Sequence, residues 1–209
     1  MKENLCFACM SPISAPDGIC PHCGHDNRIR HNGPGLLPEG VLAGKYVIGK
    51  LLGRGGFGAT YLGYDINLQR PVAIKEYLPA HLVVRENVGS INGENRVALA
   101  SQNSFSSALI VVSGGEKDFQ KGKERALNEA RMAARLGQIP GVVQIYDVFG
   151  ANNTIYIVME YVEGDTLTTY VKKHGGKTMN GLKMLLYQGV EAFELWNQVK
   201  VSEELADKV

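Results

Sequence analysis

The chain has 209 residues, of which 44% are apolar and 21% are charged, and its formal net charge is +1. This composition excludes a disordered or fibrous protein, and the near-neutral charge gives no electrostatic reason to expect nucleic acid or an anionic membrane as partner. The length fits one domain with a small additional module.

No segment of the sequence has the ~20 uninterrupted apolar residues that a membrane-spanning helix needs. Residues 1–6 lead directly into cysteines without the apolar stretch of a signal peptide. We therefore expect a cytoplasmic protein without a membrane segment.

Four cysteines form two Cys-x-x-Cys pairs, Cys6 with Cys9 and Cys20 with Cys23, and the chain has no others. This spacing supplies the tetrahedral four-sulfur shell of a structural zinc, and it predicts a zinc ribbon over residues 1–30. Two disulfides or a redox pair are the alternatives, and a reducing compartment disfavours the disulfides. His22 and His25 are interpreted as turn residues rather than ligands, since the sulfur set is already complete. Few basic residues lie nearby, so a protein is a better partner for the ribbon than nucleic acid.

A Gly- and Pro-rich segment, 31–44, is predicted to be a linker to an α+β domain over 45–165. Short runs rich in Val, Ile and Tyr predict five antiparallel strands. Apolar residues at helical spacing predict a long amphipathic helix over 116–136. An irregular insertion is expected over 78–115, and a helical tail over 166–209. The predicted strands are 46–52, 59–64, 71–77, 142–149 and 154–160.

The segment from Gly53 to Gly58 matches G-x-G-x-x-G, which alone fits a dinucleotide-binding turn, a phosphate loop or an accidental Gly-rich turn. A dinucleotide fold requires a helix at the last glycine, whereas a strand-like run follows here. The loop therefore caps a hairpin, and the next strand places Lys75 behind it.

With these features the sequence resembles the bacterial Ser/Thr protein kinases, in particular a group in which a zinc ribbon precedes the kinase domain. The resemblance covers residues 1 to about 175 and rests on four motifs in the family's order. They are 52–58 (LGRGGFG), 72–75 (VAIK), 128–131 (NEAR) and 158–164 (VMEYVEG).

The resemblance implies an ATP-binding small lobe in which Lys75 neutralises the α- and β-phosphates and Glu129 pairs with Lys75. Glu129 could instead be a solvated charge on its helix. Met159 corresponds to the gatekeeper, and Asp165 is either a ribose contact or a helix cap. The expected nucleotide contacts are Leu52, Gly53, Gly55, Gly56, Phe57, Gly58, Thr60, Ala73, Lys75, Met159, Glu160 and Val162.

The sequence lacks the catalytic aspartate, the magnesium-binding asparagine and the Asp-Phe-Gly motif that a kinase needs beyond its hinge. Only a complete kinase would therefore be expected to use magnesium. The resemblance fades after Gly176, which a native covering helix or a truncated coding sequence would explain, and we expect the second. The expected function is an ATP-binding kinase lobe that is inactive as this chain. The alternative is a zinc-dependent interaction module or pseudokinase-like scaffold.

Overall fold

The protein was analysed as a computed structural model, which describes residues 4–15, 18–29, 32, 35–37, 39–85, 109–137 and 139–176, with five single residues beyond Gly176. The chain divides into two compact units, Met1–Val162 and Glu163–Val209. The strands are β1 (Asn4–Leu5), β2 (Pro12–Ile13), β3 (Gly40–Leu42), β4 (Tyr46–Arg54), β5 (Gly58–Asp65), β6 (Arg70–Tyr77), β7 (Val83–Arg85), β8 (Leu109–Val111), β9 (Ile145–Ala151) and β10 (Thr154–Glu160). The helices are α1 (Glu116–Arg135) and α2 (Leu167–Lys173).

The N-terminal ribbon consists of β1 paired antiparallel with β2, followed by a second turn closed by a bridge between Ile19 and Asp26. Its buried apolar cluster is very small and consists of Cys6, Ala8, Ile13 and Cys20. Such a cluster buries too little apolar surface to stabilise a fold without a covalent or metal cross-link.

The main sheet is antiparallel and has the strand order β3-β4-β5-β6-β10-β9. The prediction of five strands was wrong, because Gly40–Leu42 pairs with Tyr46–Ile48 and adds a sixth strand within the predicted linker. The five predicted strands are all present, and the fourth begins at Ile145 rather than at residue 142. β-Branched and aromatic residues dominate these strands and pack well on a pleated surface.

The register assigns the residues of β6 to two faces. Val72, Ile74 and Glu76 face the main core, which also holds Tyr61 and Tyr156. Residues at odd positions face the other way, since side chains alternate along a strand. Ala73 and Lys75 thus share the opposite face, on which Tyr77 at the end of the strand packs against Phe119 of α1.

The predicted insertion is not wholly irregular. Its two ends pair as β7 and β8, with Arg85 opposite Leu109, and they form a two-stranded sheet of their own. Residues 86–108 between them lie outside the described part of the chain. The ends of the predicted irregular insertion therefore form regular β structure.

Helix α1 ends one residue before its predicted end and packs against β9 and β10. Its buried residues are Phe119 and Ala130, and the Phe119 ring lies 5.5 Å from the Tyr77 ring between centroids. The Tyr77 hydroxyl lies so close to Gly122 that a β-carbon at that position would overlap it. Gly122 thus permits the close approach of α1 to the end of β6.

In the second unit, α2 agrees with the start of the helical tail predicted from residue 166, and Thr166 is its N-cap. The remaining predicted helical tail falls almost entirely outside the described residues. Within the described part of the chain, no helix combines the length and apolar character needed to cross a membrane.

Candidate functional sites

The four cysteines converge on one point of the ribbon. The Sγ atoms of Cys6 and Cys23 are 3.7 Å apart, as are those of Cys9 and Cys20, and all four lie within 4.8 Å of one another. Zn–S bonds of ~2.3 Å in a tetrahedron give S···S separations of about 3.8 Å. The thiols are free, and 3.7 Å is too long for a disulfide bond. The donor set fits a four-sulfur metal shell.

Two equivalent turns position these thiols. The N–H of Met10 donates to the carbonyl of Cys6, and the N–H of Gly24 donates to the carbonyl of Cys20. Met10 and Gly24 both have left-handed φ angles, 59° and 73°. A glycine accepts this conformation freely, whereas a methionine is strained in it.

The electrostatics of the cysteines differ within the cluster. Desolvation raises the pKa of the Cys6 thiol to about 12. At Cys20 desolvation also acts to raise the pKa. Hydrogen bonds from the backbone N–H groups of Cys23 and His22 outweigh this effect and lower the pKa of Cys20 to about 6. Cys20 is thus more readily ionised for coordination than Cys6 or Cys23.

Neither predicted turn histidine is needed to complete the sulfur set. His22 is exposed, and the backbone carbonyl of His25 accepts a hydrogen bond from the N–H of Cys20. His25 thus supports the second turn through its main chain.

The glycine loop connects β4 to β5 and folds back on itself. The N–H of Gly55 donates to the carbonyl of Gly58, and the N–H of Leu78 donates to the carbonyl of Phe57. An added β-carbon would meet no atom within 4 Å at Gly53, Gly55 or Gly56. The loop therefore presents open backbone that phosphate oxygens can approach.

Phe57 is 71% exposed at the tip of the loop, and its ring contacts the edge of His81 at 6.1 Å between centroids. His81 was not predicted from the sequence as a residue next to the glycine loop. The only available signal was its position shortly after the VAIK strand.

Lys75 lies beneath this loop. Its Cε atom is 3.8 Å from the position that a β-carbon on Gly58 would take. In the strand register Lys75 lies opposite Thr60 on one side and Ile157 on the other, while Ala73 lies between Leu62 and Met159. Since cross-strand partners share a face, the register brings Lys75, Ala73, Thr60 and Met159 together on the face opposite to Ile74 and Glu76.

Leu52 and Val162 border this region at its two ends. Leu52 is exposed at 40% just before the loop, and Val162 is exposed at 64% as the last residue of the first unit. The N–H of Glu160 donates to the carbonyl of Gln144. Binding of a nucleotide to the Glu160 carbonyl and the Val162 N–H stays a prediction.

The predicted ion pair between Lys75 and Glu129 does not form. Both side chains are exposed, and none of the ion pairs between described residues joins them. The physical reason is the seating of α1, which is fixed by Phe119 and Ala130 while Glu129 lies beside the buried face. In this state Glu129 is a solvated helix residue.

Asp165 forms an ion pair with Lys173 at 2.7 Å, and the cap of α2 is the hydroxyl of Thr166, which accepts from the N–H of Thr169. The helix-cap interpretation of Asp165 was therefore wrong. Its predicted ribose contact stays untested.

A buried polar network lies on the core face, directly behind Lys75. The Glu76 carboxylate pairs with Arg85 at 2.6 Å and accepts hydrogen bonds from the hydroxyls of Tyr61 and Tyr156. The side chains of Glu76 and Arg85 are both fully buried. Sequence reasoning missed this network because Glu76 looks like one more charged residue next to Lys75.

Comparison with known proteins gives a consistent result. A family model described as "Protein kinase domain" matches residues 107–201. The chain is 29% identical over 164 residues to the serine/threonine-protein kinase PknD of Chlamydia pneumoniae, a match covering 78% of this chain and 12% of that protein. It is 32% identical over 134 residues to the serine/threonine-protein kinase PrkC of Bacillus subtilis, covering 64% of this chain and 15% of that protein.

Among solved structures, "PpkA-294 apo form" matches with a TM-score of 0.55 and 28% sequence identity, covering 66% of this chain and 43% of that chain. This chain spans only a small part of the length of PknD and PrkC. The family match also continues to residue 201, so the expectation that the resemblance fades after Gly176 was wrong.

Proposed function

Since this chain is related to the bacterial serine/threonine protein kinases, we propose that residues 45–165 are an ATP-binding small lobe and that residues 1–30 are a structural zinc ribbon. One observation carries the nucleotide part of this proposal. The glycine loop turns back over Lys75, on a sheet face that also holds Ala73 and Met159. Open backbone, a cation and a flat apolar surface are what phosphates and adenine require.

In this proposal the glycines at 53, 55, 56 and 58 hold the phosphates through their N–H groups. Lys75 neutralises the α- and β-phosphates, and Leu52, Thr60, Ala73 and Met159 contact the adenine. The carbonyl of Glu160 and the N–H of Val162 bind the polar edge of the base, and Phe57 covers the phosphates.

Phosphoryl transfer also requires a base for the substrate hydroxyl and carboxylate or amide ligands for magnesium. These 209 residues contain neither the catalytic-loop motif that supplies the base nor the Asp-Phe-Gly motif that supplies a magnesium ligand. We therefore propose that the chain binds ATP without transferring phosphate, and that only a complete kinase would use magnesium.

The ATP site is tested by titrating the purified chain with ATP in a calorimeter. Lys75→Met should weaken binding by at least about tenfold, since one charge-assisted contact contributes roughly 1.5–3 kcal/mol. Lys121→Met is the matched control, because Lys121 is an exposed lysine of α1 to which the proposal assigns no contact with the nucleotide. Equal affinities of the two variants would refute the assigned role of Lys75.

The transfer part of the proposal is tested separately with radiolabelled ATP. Magnesium-dependent phosphorylation that disappears in Lys75→Met would show that this chain contains catalytic groups that its motifs do not reveal.

Zinc is proposed on the convergence of the four sulfur atoms alone. When bound, it would cross-link the two turns of the ribbon and supply folding free energy of ~10–16 kcal/mol by comparison with zinc-finger peptides. A ribbon with so small an apolar cluster needs such a contribution.

A second function, a zinc-dependent interaction module or scaffold, is favoured by the surface of the ribbon. Ile19 and Ile29 are 68% and 62% exposed, and apolar side chains on a small module suit a protein partner. A pull-down in which Ile19→Ser loses a partner while zinc is retained would support this function, whereas unchanged partners would exclude this surface.

A further inference from the structure

The ribbon is attached to the lobe at one strand, and that strand leads into the glycine loop. The carbonyl of Phe7, which lies between the ligand candidates Cys6 and Cys9, accepts a hydrogen bond of 2.8 Å from the N–H of Lys50. Lys50 belongs to β4, three residues before Gly53, where the loop begins.

This contact lies where, among the residues that the structure describes, the pairing of β3 with β4 has ended. The neighbouring strand β3 pairs with β4 only as far as Ile48. Beyond that residue, the side-chain amide of Asn32 donates to the carbonyl of Gly49, and its oxygen accepts from the N–H of Leu51. Phe7 and Asn32 therefore replace a strand along 49–51, and they satisfy backbone groups that a strand edge would leave open.

The same stretch is irregular on its other side. The pairing of β4 with β5 shifts register between Ile48 and Leu51 and again between Leu51 and Gly53. A shifted ladder holds the backbone less firmly than a continuous one. The ribbon contact therefore adds a backbone hydrogen bond where the β4–β5 ladder is irregular, next to the loop.

Packing at Gly49 shows how closely the two parts approach. A β-carbon on Gly49 would overlap both the Phe7 carbonyl and the Met10 side chain. Met10 is 3% exposed and is held in the left-handed conformation that Gly24 adopts in the other turn. A methionine at a position that favours glycine is explained by this contact with Gly49.

We propose that the first cysteine turn of the ribbon, Cys6–Met10, is a clamp on β4, so that zinc occupancy sets the order of the glycine loop and zinc and ATP bind cooperatively. The cooperative part rests on the proposed function. By linkage, zinc must then strengthen ATP binding by the same factor as ATP strengthens zinc binding, typically about 5- to 150-fold.

Hydrogen exchange of the full chain, followed by mass spectrometry, tests the clamp directly. Removal of zinc should accelerate exchange over residues 50–58 by about tenfold or more, as expected for local opening, while the core strands β5 and β6 stay protected. Gly49→Ala and Met10→Gly should produce the same acceleration with zinc still bound, because neither removes a sulfur ligand.

The matched control is Gly150→Ala. A β-carbon there meets only the carbonyl of Thr154 in β10, at an ordinary 3.7 Å, and no atom of the ribbon or of residues 49–58 lies within 4 Å of it. Its exchange over residues 50–58 should equal that of the wild type. Unchanged exchange at these residues after zinc removal, or in both zinc-loaded clamp variants, would overturn the proposal.

ATP titrations of the same samples separate this proposal from the proposed function. Zinc-loaded wild type should bind ATP more tightly than the zinc-free chain and than Gly49→Ala. Equal affinities in all three overturn the coupling. A chain that binds no ATP in either state refutes the nucleotide site and the cooperativity, while the exchange data still decide the clamp. A chain that binds no zinc refutes both the zinc ribbon and the coupling.

Discussion

Neutralising Glu76 should strongly destabilise the lobe. Glu76→Gln keeps the shape of the side chain but leaves the fully buried Arg85 guanidinium without its countercharge at 2.6 Å. Breaking a buried pair by removing one partner costs about 3–5 kcal/mol, because an uncompensated charge stays in the interior. Total stabilities of ~5–15 kcal/mol make this loss a large fraction of the whole.

Thermal unfolding measures this effect. For a chain of this size each kcal/mol lowers Tm by roughly 2–4 °C, so Glu76→Gln should lower it by about 6–20 °C. Lys45→Gln is the control, because it breaks a pair with Asp147 whose side chains are 38% and 28% exposed. Partly exposed pairs contribute at most about 1 kcal/mol.

A second variant tests the reason for the loss. Adding Arg85→Met to Glu76→Gln removes the uncompensated charge and should restore part of the stability, since apolar replacements of buried pairs are often tolerated. If Glu76→Gln lowers Tm no more than Lys45→Gln does, the reasoning about the buried charge is wrong.

Three further outcomes are expected. Zinc should be bound at one ion per chain and lost in Cys20→Ser, as measured by metal analysis, and a zinc content unaffected by this substitution would contradict the four-sulfur site. Gly122→Ala should destabilise the lobe by ~1–3 kcal/mol, because the added β-carbon would overlap the Tyr77 hydroxyl. In a double-mutant cycle measured by denaturant unfolding, Tyr77→Phe should recover part of this loss. If the effects of the two substitutions simply add, Gly122 and Tyr77 are not in contact. Burial, with the charge of Glu76, raises the pKa of Tyr61 and of Tyr156 above the unfolded value of about 10. The contribution of these two tyrosines to the free energy of unfolding is therefore fully present below about pH 10 and is lost as the pH rises further. Tyrosinate absorbance and circular dichroism should change together over this range. Ionisation of the two tyrosines at the unfolded pKa without unfolding would refute their burial.

Local patterns predicted the elements whose physics is local. Short runs rich in Val, Ile and Tyr predicted the five long strands, and the two Cys-x-x-Cys turns predicted the sulfur cluster that the structure assembles. The short strand Gly40–Leu42 was missed because glycines surround it, and it is stabilised by pairing with β4 rather than by its own propensity.

The candidate site was predictable only in part. The glycine loop and Lys75 are close because strand connectivity requires it. The Lys75–Glu129 pair depends on how α1 is seated, which is decided by packing at Phe119 and Gly122 and cannot be inferred from spacing. The roles of Glu76, Asn32 and Met10 likewise arise from residues distant in sequence that meet only in the folded chain.

The base of the insertion has a consequence for how this fold can vary. β6 and β10 are neighbours in the sheet although residues 78–153 separate them in sequence. β7 and β8 pair with each other on either side of residues 86–108, and the Arg85–Glu76 pair connects β7 to β6. Doubling the length of a flexible loop costs only ~0.6 kcal/mol in closure entropy. Homologous chains can therefore differ widely in length between these two strands while the lobe itself keeps the same strand ladder.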